Sequence, residues 1–231
     1  MRTRDLAAVT IFAALYAVGS FIPGFPILGL PGSSIDPVRA IEIVYGLLLG
    51  PVYGPAAAFL GAVVGKTLTG GGSNLFFTPL AAASAFAAAC LGRHRVWRVP
   101  GWAISAATMI VLIAAWYSTG VGREAPLYPS LHLVGLLVIL IFRGKIADLV
   151  HGNDAKQIGL GVALTALPST LVGHLLGGVI FITLLQPSPA LFMSTLPIAV
   201  MERIFLTFLA TVVGAPLLIL VRRSYPDFEK P

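Results

Sequence analysis

The sequence predicts an all-α polytopic membrane protein, a bundle of about eight helices in one integral membrane domain over 1–231. Hydrophobic residues make up 57% of the 231 residues and charged residues only 10%, whereas a soluble domain carries about 25% charged residues. The apolar runs approach the ~20 residues that a membrane-spanning helix needs. Short segments of glycine, proline and charged residues separate these runs, and they leave no room for a separate soluble domain.

Eight apolar runs define the expected helices. The second and third form a hairpin that is joined by a tight turn at Gly50 and Pro51. The segment 21–35 before them is apolar but rich in proline and glycine, so we expect a re-entrant or lid-like loop that packs on protein. The expected helices span about 5–22, 36–50, 51–69, 78–91, 101–119, 130–142, 158–185 and 195–221.

The distribution of basic residues predicts the orientation. If both termini are cytoplasmic and the chain crosses eight times, all but four of the 15 Lys and Arg residues lie in cytoplasmic segments, which satisfies the positive-inside rule. The four on the outer side are Arg39, Lys66, Arg123 and Arg203. We therefore expect a multi-pass protein of a cell membrane. The net charge of +6 is explained by these loops and indicates no nucleic-acid partner.

Charged residues inside the expected helices are candidates for a binding site, because each costs ~2.5–3.5 kcal/mol to insert and usually faces a cavity or a partner. Arg39 and Glu42 share a helix face and either form a local ion pair or contact a solute. Lys66 precedes the glycine-rich loop 70–74 and either reaches the outer interface or faces the same solute. Asn74 ends that loop at the outer mouth.

The last two expected helices add three more candidates. Glu202 and Arg203 are adjacent and point in directions ~100° apart on a helix. Each either pairs with a residue of another helix or contacts a solute. His174 lies near the middle of its helix and forms a polar strip with Ser169 and Thr170. A structural hydrogen bond is the alternative to a binding role for His174.

No enzyme or metal centre is expected. The sequence has no HExxH motif and no nucleophile elbow. The loop 70–74 lacks the Gly-Lys-Ser/Thr ending of a phosphate-binding P-loop. The single cysteine, Cys90, excludes an intrachain disulfide and a multi-cysteine metal site. We therefore expect no catalysis, no cofactor and no ATP hydrolysis by this chain.

Several segments together resemble the substrate-binding (S) components of energy-coupling factor (ECF) transporters, which bind vitamins. The first helix carries the small residues Ala13 and Ala17, a pair that lets another helix approach closely. The loop 21–35 stands where the family has its gating loop. The hairpin GLLLGPVYGPAAAFLGAVVGKTLTGG and the last two helices complete the pattern. The resemblance covers a six-helix core, 5–92 and 158–223, and leaves 101–142 as an extra helical hairpin.

The resemblance implies a membrane-embedded subunit that captures a vitamin or similar small solute from outside. Ala13 and Ala17 would dock on a transmembrane coupling subunit, and two cytosolic ATPases would supply the energy, in a prokaryotic plasma membrane. Metal-transporting relatives begin with Met-His, whereas residue 2 is Arg here, so no nickel or cobalt site is implied. Basic residues near the outer mouth favour an anionic vitamin. The implied solute contacts are Arg39, Glu42, Lys66, Asn74, His174, Glu202 and Arg203.

Two other function classes stay open. One is a self-sufficient secondary transporter that is driven by protons or sodium, with Glu42, His174 and Glu202 as relay groups. The other is an intramembrane enzyme, for which the sequence suggests no reaction. Copurification with ATPases favours the ECF-type subunit, whereas solute uptake by this chain alone favours the ion-coupled transporter.

Overall fold

The computed structural model describes residues 3–26, 34–70 and 72–224. Over these ranges the chain is almost entirely helical, which confirms the all-α prediction. The helices are α1 (Thr3–Gly19), α2 (Arg39–Leu68), α3 (Pro79–Leu91), α4 (Gly101–Ser118), α5 (Gly120–Glu124), α6 (Ser130–Phe142), α7 (Lys145–Val150), α8 (Ala155–Leu185) and α9 (Pro189–Ser224).

Short non-α elements connect these helices. A 3-10 helix, Gly72–Phe77, leads into α3. One antiparallel pair joins β1 (Phe25–Pro26) to β2 (Ser34–Ile35). A second pair joins β3 (Arg95–Val96) to β4 (Val99–Pro100). Residues 27–33, in the middle of the expected lid-like loop, and the tail 225–231 lie outside the described residues.

Helix α2 reverses direction at Gly50. This residue has φ +84° and ψ −173°, a conformation that is essentially restricted to glycine. A Cβ atom on Gly54 would lie 2.6 Å from the carbonyl oxygen of Tyr45, although about nine residues of straight helix would separate them by ~13 Å. The chain therefore folds back on itself, and α2 is a hairpin of two arms, 39–49 and 51–68. The expected turn at Gly50 is confirmed.

Small residues let α1 pack closely on the second arm of this hairpin. A Cβ atom on Gly61 would lie 2.5 Å from the Cβ atom of Tyr16, and one on Gly65 would lie 3.2 Å from the Cα atom of Ala17. Ala17 is buried and Ala13 is half-buried. The small-residue pair is thus used inside the chain. The exposed face of α1 is formed by Ala7, Ile11, Ala14, Leu15 and Val18.

The helices alternate in direction, so their termini gather at two ends. The turn at Gly50 lies beside Arg93, whose guanidinium donates hydrogen bonds to the carbonyl oxygens of Gly46 and Leu47 at 3.3 and 3.4 Å. His94 and Asp148 pair at the same end, at 3.2 Å. We call this end the basic end. The Lys and Arg side chains described there are Arg4, Arg93, Arg95, Arg98, Arg143, Lys145, Lys156, Arg222 and Arg223.

The other end, which we call the opposite end, carries the start of α2 and the connection between α8 and α9. Phe181 of α8 contacts Phe192 of α9 and Phe77 of the 3-10 helix there, with ring centroids 5.9 and 6.4 Å apart. Most of the described basic residues therefore lie at the basic end, and Arg39, Lys66, Arg123 and Arg203 are the described exceptions, as expected from the sequence. Which end faces the cytoplasm stays a prediction.

Five described helical segments are long and apolar enough to cross a membrane. They are Arg39–Leu68, Asn74–Leu91, Gly101–Ser118, Ala155–Leu185 and Pro189–Ser224. The shorter helix α6 is apolar as well. The expectation of a membrane protein is confirmed at this level. Because α2 folds back at Gly50, its segment contributes two arms rather than one continuous crossing.

The hairpin 101–142 is part of the bundle. The hydroxyl of Ser105 in α4 donates a hydrogen bond to the carbonyl oxygen of Ala87 in α3, at 3.0 Å. On α6, a Cβ atom at Gly135 would lie 2.7 Å from Leu171 of α8, so α6 and α8 approach closely. The segment that the sequence set apart from the six-helix core therefore lines the interior next to α3 and α8.

Candidate functional site

A group of buried and half-buried polar side chains lies between α1, α2, α6, α8 and α9. Burying a polar group in an apolar bundle is unfavourable unless the group is hydrogen-bonded, so such a group requires a structural or functional reason. We call it the buried polar cluster. Its members are Tyr16, Arg39, Glu42, Tyr128, His132, Ser169, Thr170, His174, Glu202 and Arg203.

Arg39 and Glu42 form the local ion pair that the sequence allowed. The Nε atom of Arg39 lies 3.6 Å from the Oε1 atom of Glu42, which is too long for a hydrogen bond. The hydrogen bond to this carboxylate comes from the hydroxyl of Tyr16, at 2.8 Å. Glu42 is only 1% exposed. Helix α1 therefore fixes the carboxylate, and Arg39 contributes charge.

The Arg39 guanidinium extends towards helix α8. A Cβ atom on Gly173 would lie 3.5 Å from the Nη2 atom of Arg39 and would clash with the hydroxyl of Ser84. Glycine at position 173 thus makes room for both side chains. The Nη2 atom of Arg39 is buried and has no hydrogen-bond partner among the described residues. The NH2 group of a charged side chain is therefore left without a hydrogen-bond partner among the described residues.

Three side chains from α6, α8 and the turn before α6 form a hydrogen-bonded chain. The Nδ1 atom of His174 lies 3.2 Å from the Nε2 atom of His132, and the Nε2 atom of His174 lies 3.1 Å from the hydroxyl of Tyr128. The two imidazole rings stack with 16° between their planes. Tyr128 in turn stacks on Trp116 of α4, with centroids 4.6 Å apart. The extra hairpin therefore supplies two members of this chain, Tyr128 and His132, and Trp116 as its aromatic support.

Arg203 is 1% exposed near the middle of α9. Its Nη1 atom donates a hydrogen bond to the carbonyl oxygen of Thr170 in α8 at 3.0 Å, and its Nη2 atom contacts the carboxylate of Glu202. From the sequence, we expected Glu202 and Arg203 either to form ion pairs with residues of other helices or to contact a solute. Instead they pair within α9, and the cross-helix contact of Arg203 is to main chain. The Arg203 side chain is long enough for its guanidinium to reach the carboxylate of Glu202, although adjacent residues on a helix point in directions ~100° apart.

The two guanidinium groups approach the same face of α8. Thr170 accepts from Arg203, and Gly173 lies against Arg39. Residues three and four apart on a helix share a face, so Thr170 and His174 lie on one face of α8, next to the space that Gly173 leaves. The strip predicted from the sequence consisted of Ser169, Thr170 and His174, of which Ser169 and Thr170 are buried and His174 is half-buried.

Two predicted residues lie away from the centre of the cluster. Lys66 is half-buried near the end of the second arm of α2 and interacts electrostatically with Asp36, Arg39 and Glu42, so it stands at the margin. Asn74 is exposed in the 3-10 helix. The fold therefore brings five of the seven predicted contacts together, and a contact with a solute stays a prediction for all of them.

Sequence reasoning missed Tyr16, Tyr128 and His132 as members. His132 is the one ionisable residue in the run SLHLVGLLVILIF, and a lone polar residue in an apolar helix is a signal for an interior contact. No comparable signal marks Tyr16 or Tyr128, because tyrosine is also common at membrane interfaces. Among the described residues, no group of three or more His, Cys, Asp or Glu side chains is arranged to hold a metal ion.

Comparisons with known proteins show a similarity to a protein whose function is not known. No family model matches the chain, and no solved structure matches it. The chain is similar to an uncharacterized protein of Methanocaldococcus jannaschii, with 34% identity over 202 residues. The matched region covers 84% of this chain and 63% of that protein. The chain thus spans less than two thirds of the length of this relative.

Proposed function

We propose that this chain is the membrane-embedded substrate-binding subunit of an ECF-type importer for a vitamin or similar small solute. The observation that carries the proposal is the buried polar cluster, which lies beneath the opposite end of an otherwise apolar bundle. It collects two guanidinium groups, two carboxylates and two imidazoles. In this proposal the opposite end faces the outside, the chain crosses the membrane eight times, and both termini are cytoplasmic.

The energetics of the cluster support a binding role over a purely structural one. Each buried polar atom that lacks a hydrogen bond costs about 1–3 kcal/mol. Arg39, His132, Ser169 and Arg203 each have such an atom among the described residues. Apolar side chains of similar volume are often neutral or more stabilising at buried ion-pair positions. A polar solute that forms the missing hydrogen bonds would explain why polar and charged residues occupy these positions instead of apolar ones.

The basic end supports the partner side of the proposal. Under the positive-inside rule it is cytoplasmic, so the turn at Gly50 and the start of α1 face the compartment of the ATPases. Because Ala17 packs against Gly65 inside the chain, we assign the contact with the coupling subunit to the exposed residues beside the pair, Ile11, Leu15 and Val18. Ala13 and Ala17 then shape this surface by holding α1 close to α2.

Copurification tests the proposal. The tagged chain is expressed at its natural level, extracted from native membranes in mild detergent, and the proteins that elute with it are identified. We expect one further membrane protein and two ATPases. Solute uptake into proteoliposomes that contain this chain alone, driven by an ion gradient, would overturn the proposal.

A second candidate is a proton-coupled secondary transporter. The chain of hydrogen bonds through Tyr128, His174 and His132 favours it, because buried histidines can relay protons across an apolar interior. The same proteoliposomes distinguish the two candidates. Uptake that follows an imposed pH gradient and needs no ATP supports the second one.

A further inference from the structure

We infer that the solute presents anionic oxygen atoms, above all a carboxylate, to unused hydrogen-bond donors of the buried polar cluster. This inference rests on the proposed binding function. It is based on the buried polar atoms that have no hydrogen-bond partner among the described residues, because these atoms are more often donors than acceptors.

Three of the unpartnered buried atoms can only donate. They are Nη2 of Arg39, Nε of Arg203 and Nε1 of Trp116, since guanidinium and indole N–H groups have no lone pair to offer. Three more can donate or accept, namely Nδ1 of His132, the hydroxyl of Ser169 and the hydroxyl of Thr207. No side-chain carboxylate or amide oxygen of the described residues is among the unpartnered buried atoms. A ligand that satisfies this set must bring acceptors.

The donors converge on the polar face of α8. Arg203 is bonded to Thr170, the neighbour of Ser169, and Thr207 follows Arg203 by one turn on the same face of α9. Arg39 reaches the same face of α8 at Gly173. The unused groups of Arg39, His132, Ser169 and Arg203 thus lie around residues 169–174 of one helix.

The existing partners of the two carboxylates separate an anion from a cation. The carboxylate of Glu42 already accepts from Tyr16 and faces Arg39, and the carboxylate of Glu202 is paired with Arg203. Both guanidinium groups have a buried nitrogen without a partner among the described residues, whereas neither carboxylate has such an oxygen, so an anionic solute gains more new contacts than a cationic one. Hydrogen bonds from guanidinium to a carboxylate are charge-assisted and roughly twice as strong as neutral ones. The geometry therefore favours an acid.

The first experiment identifies what the protein carries. The full-length protein is purified gently, and native mass spectrometry measures the mass of any bound molecule, which is then released and identified. We expect a small carboxylic acid bound to each chain. A bound amine without an acidic group would overturn this inference but leave the proposed function. If only a phospholipid is bound, the inferred anion chemistry is kept but binding of a small solute is overturned. If no molecule is bound, even after incubation with a small-molecule cell extract, both the inference and the proposed function are overturned.

The second experiment tests the location. Ser169→Ala removes a buried hydroxyl that makes no hydrogen bond within the described residues, so the fold should be retained. It should reduce the fraction of chains that carry the acid, with an affinity loss of about 3- to 10-fold for one lost hydrogen bond. Ser194→Ala is the matched control, because this exposed hydroxyl bonds only to its own helix at Leu191. Equal retention of the acid by both variants would overturn the assigned location.

Discussion

The Nδ1 atom of His174 lies 3.2 Å from the Nε2 atom of His132, so α8 and α6 share a hydrogen bond between two imidazoles in the interior. One of these nitrogens must donate and the other accept, which requires at least one ring to be neutral. If Tyr128 donates to Nε2 of His174, then Nδ1 of His174 donates to His132, and the remaining proton of His132 is on Nδ1.

Loss of the Tyr128 hydroxyl should destabilise the protein. Tyr128→Phe leaves Nε2 of His174 without its partner at 3.1 Å, and an unsatisfied buried polar group costs about 1–3 kcal/mol. Thermal unfolding in detergent measures the loss. Tyr117→Phe is the control, because the Tyr117 hydroxyl bonds to Pro126 at an exposed position and should matter by less than ~1 kcal/mol. Equal losses would contradict a special role for the Tyr128 hydrogen bond.

The reversal of α2 should depend on glycine at position 50. Gly50→Ala places a Cβ atom at φ +84°, about 3.1 Å from the guanidinium of Arg93, and we expect a loss of ~1–3 kcal/mol in unfolding free energy. Gly159→Ala in α8 is the control, since a Cβ atom there meets no other atom within 4 Å and alanine favours helix by up to ~1 kcal/mol. A Gly50→Ala protein as stable as the control would show that the turn tolerates a side chain.

Arg203 and Glu202 should be strongly coupled. Arg203→Met leaves a carboxylate and the carbonyl oxygen of Thr170 without their partner, and removal of one member of a buried pair costs about 3–5 kcal/mol. Glu202→Gln should partly restore stability in the double variant, because no unpaired charge then remains. A double-mutant cycle of thermal stabilities gives the coupling energy. Additive losses in the double variant would mean that the two side chains act independently.

The exposed face of α1 should determine partner binding under the proposed function. Leu15 is 56% exposed, and Leu15→Trp adds bulk where a partner helix must approach. Overpacking of this kind costs ~1–3 kcal/mol, so recovery of the coupling subunit should fall by about 5- to 150-fold. Ile204→Trp on α9, where the native side chain is 62% exposed, is the control. If both variants recover the partner equally well, α1 is not the contact.

The helices were largely predictable, because apolar runs and glycine turns act locally. The start of α9 was placed too late: it begins at Pro189 instead of near 195, since proline is well tolerated in the first turn of a helix. The meeting of His132 with His174 was not predictable, because nothing in the spacing of two single histidines indicates which helices are neighbours. The same holds for Tyr16 and Glu42. The sequence also could not predict which helix packs against Ala13 and Ala17, since a small-residue face can contact a helix of the same chain or of a partner.

The hydrogen bond from Tyr16 to Glu42 makes α1 and the buried polar cluster one thermodynamic unit. Glu42 keeps its position through a side chain of the very helix whose other face is exposed. A small displacement of α1 would stretch this 2.8 Å hydrogen bond. The Glu42 carboxylate would then be free to move towards Arg39 and to compete with an anionic solute for its guanidinium group. Under the proposed function, linkage then requires that whatever alters α1 alters solute affinity at the cluster, and that solute binding alters α1 by the same free energy.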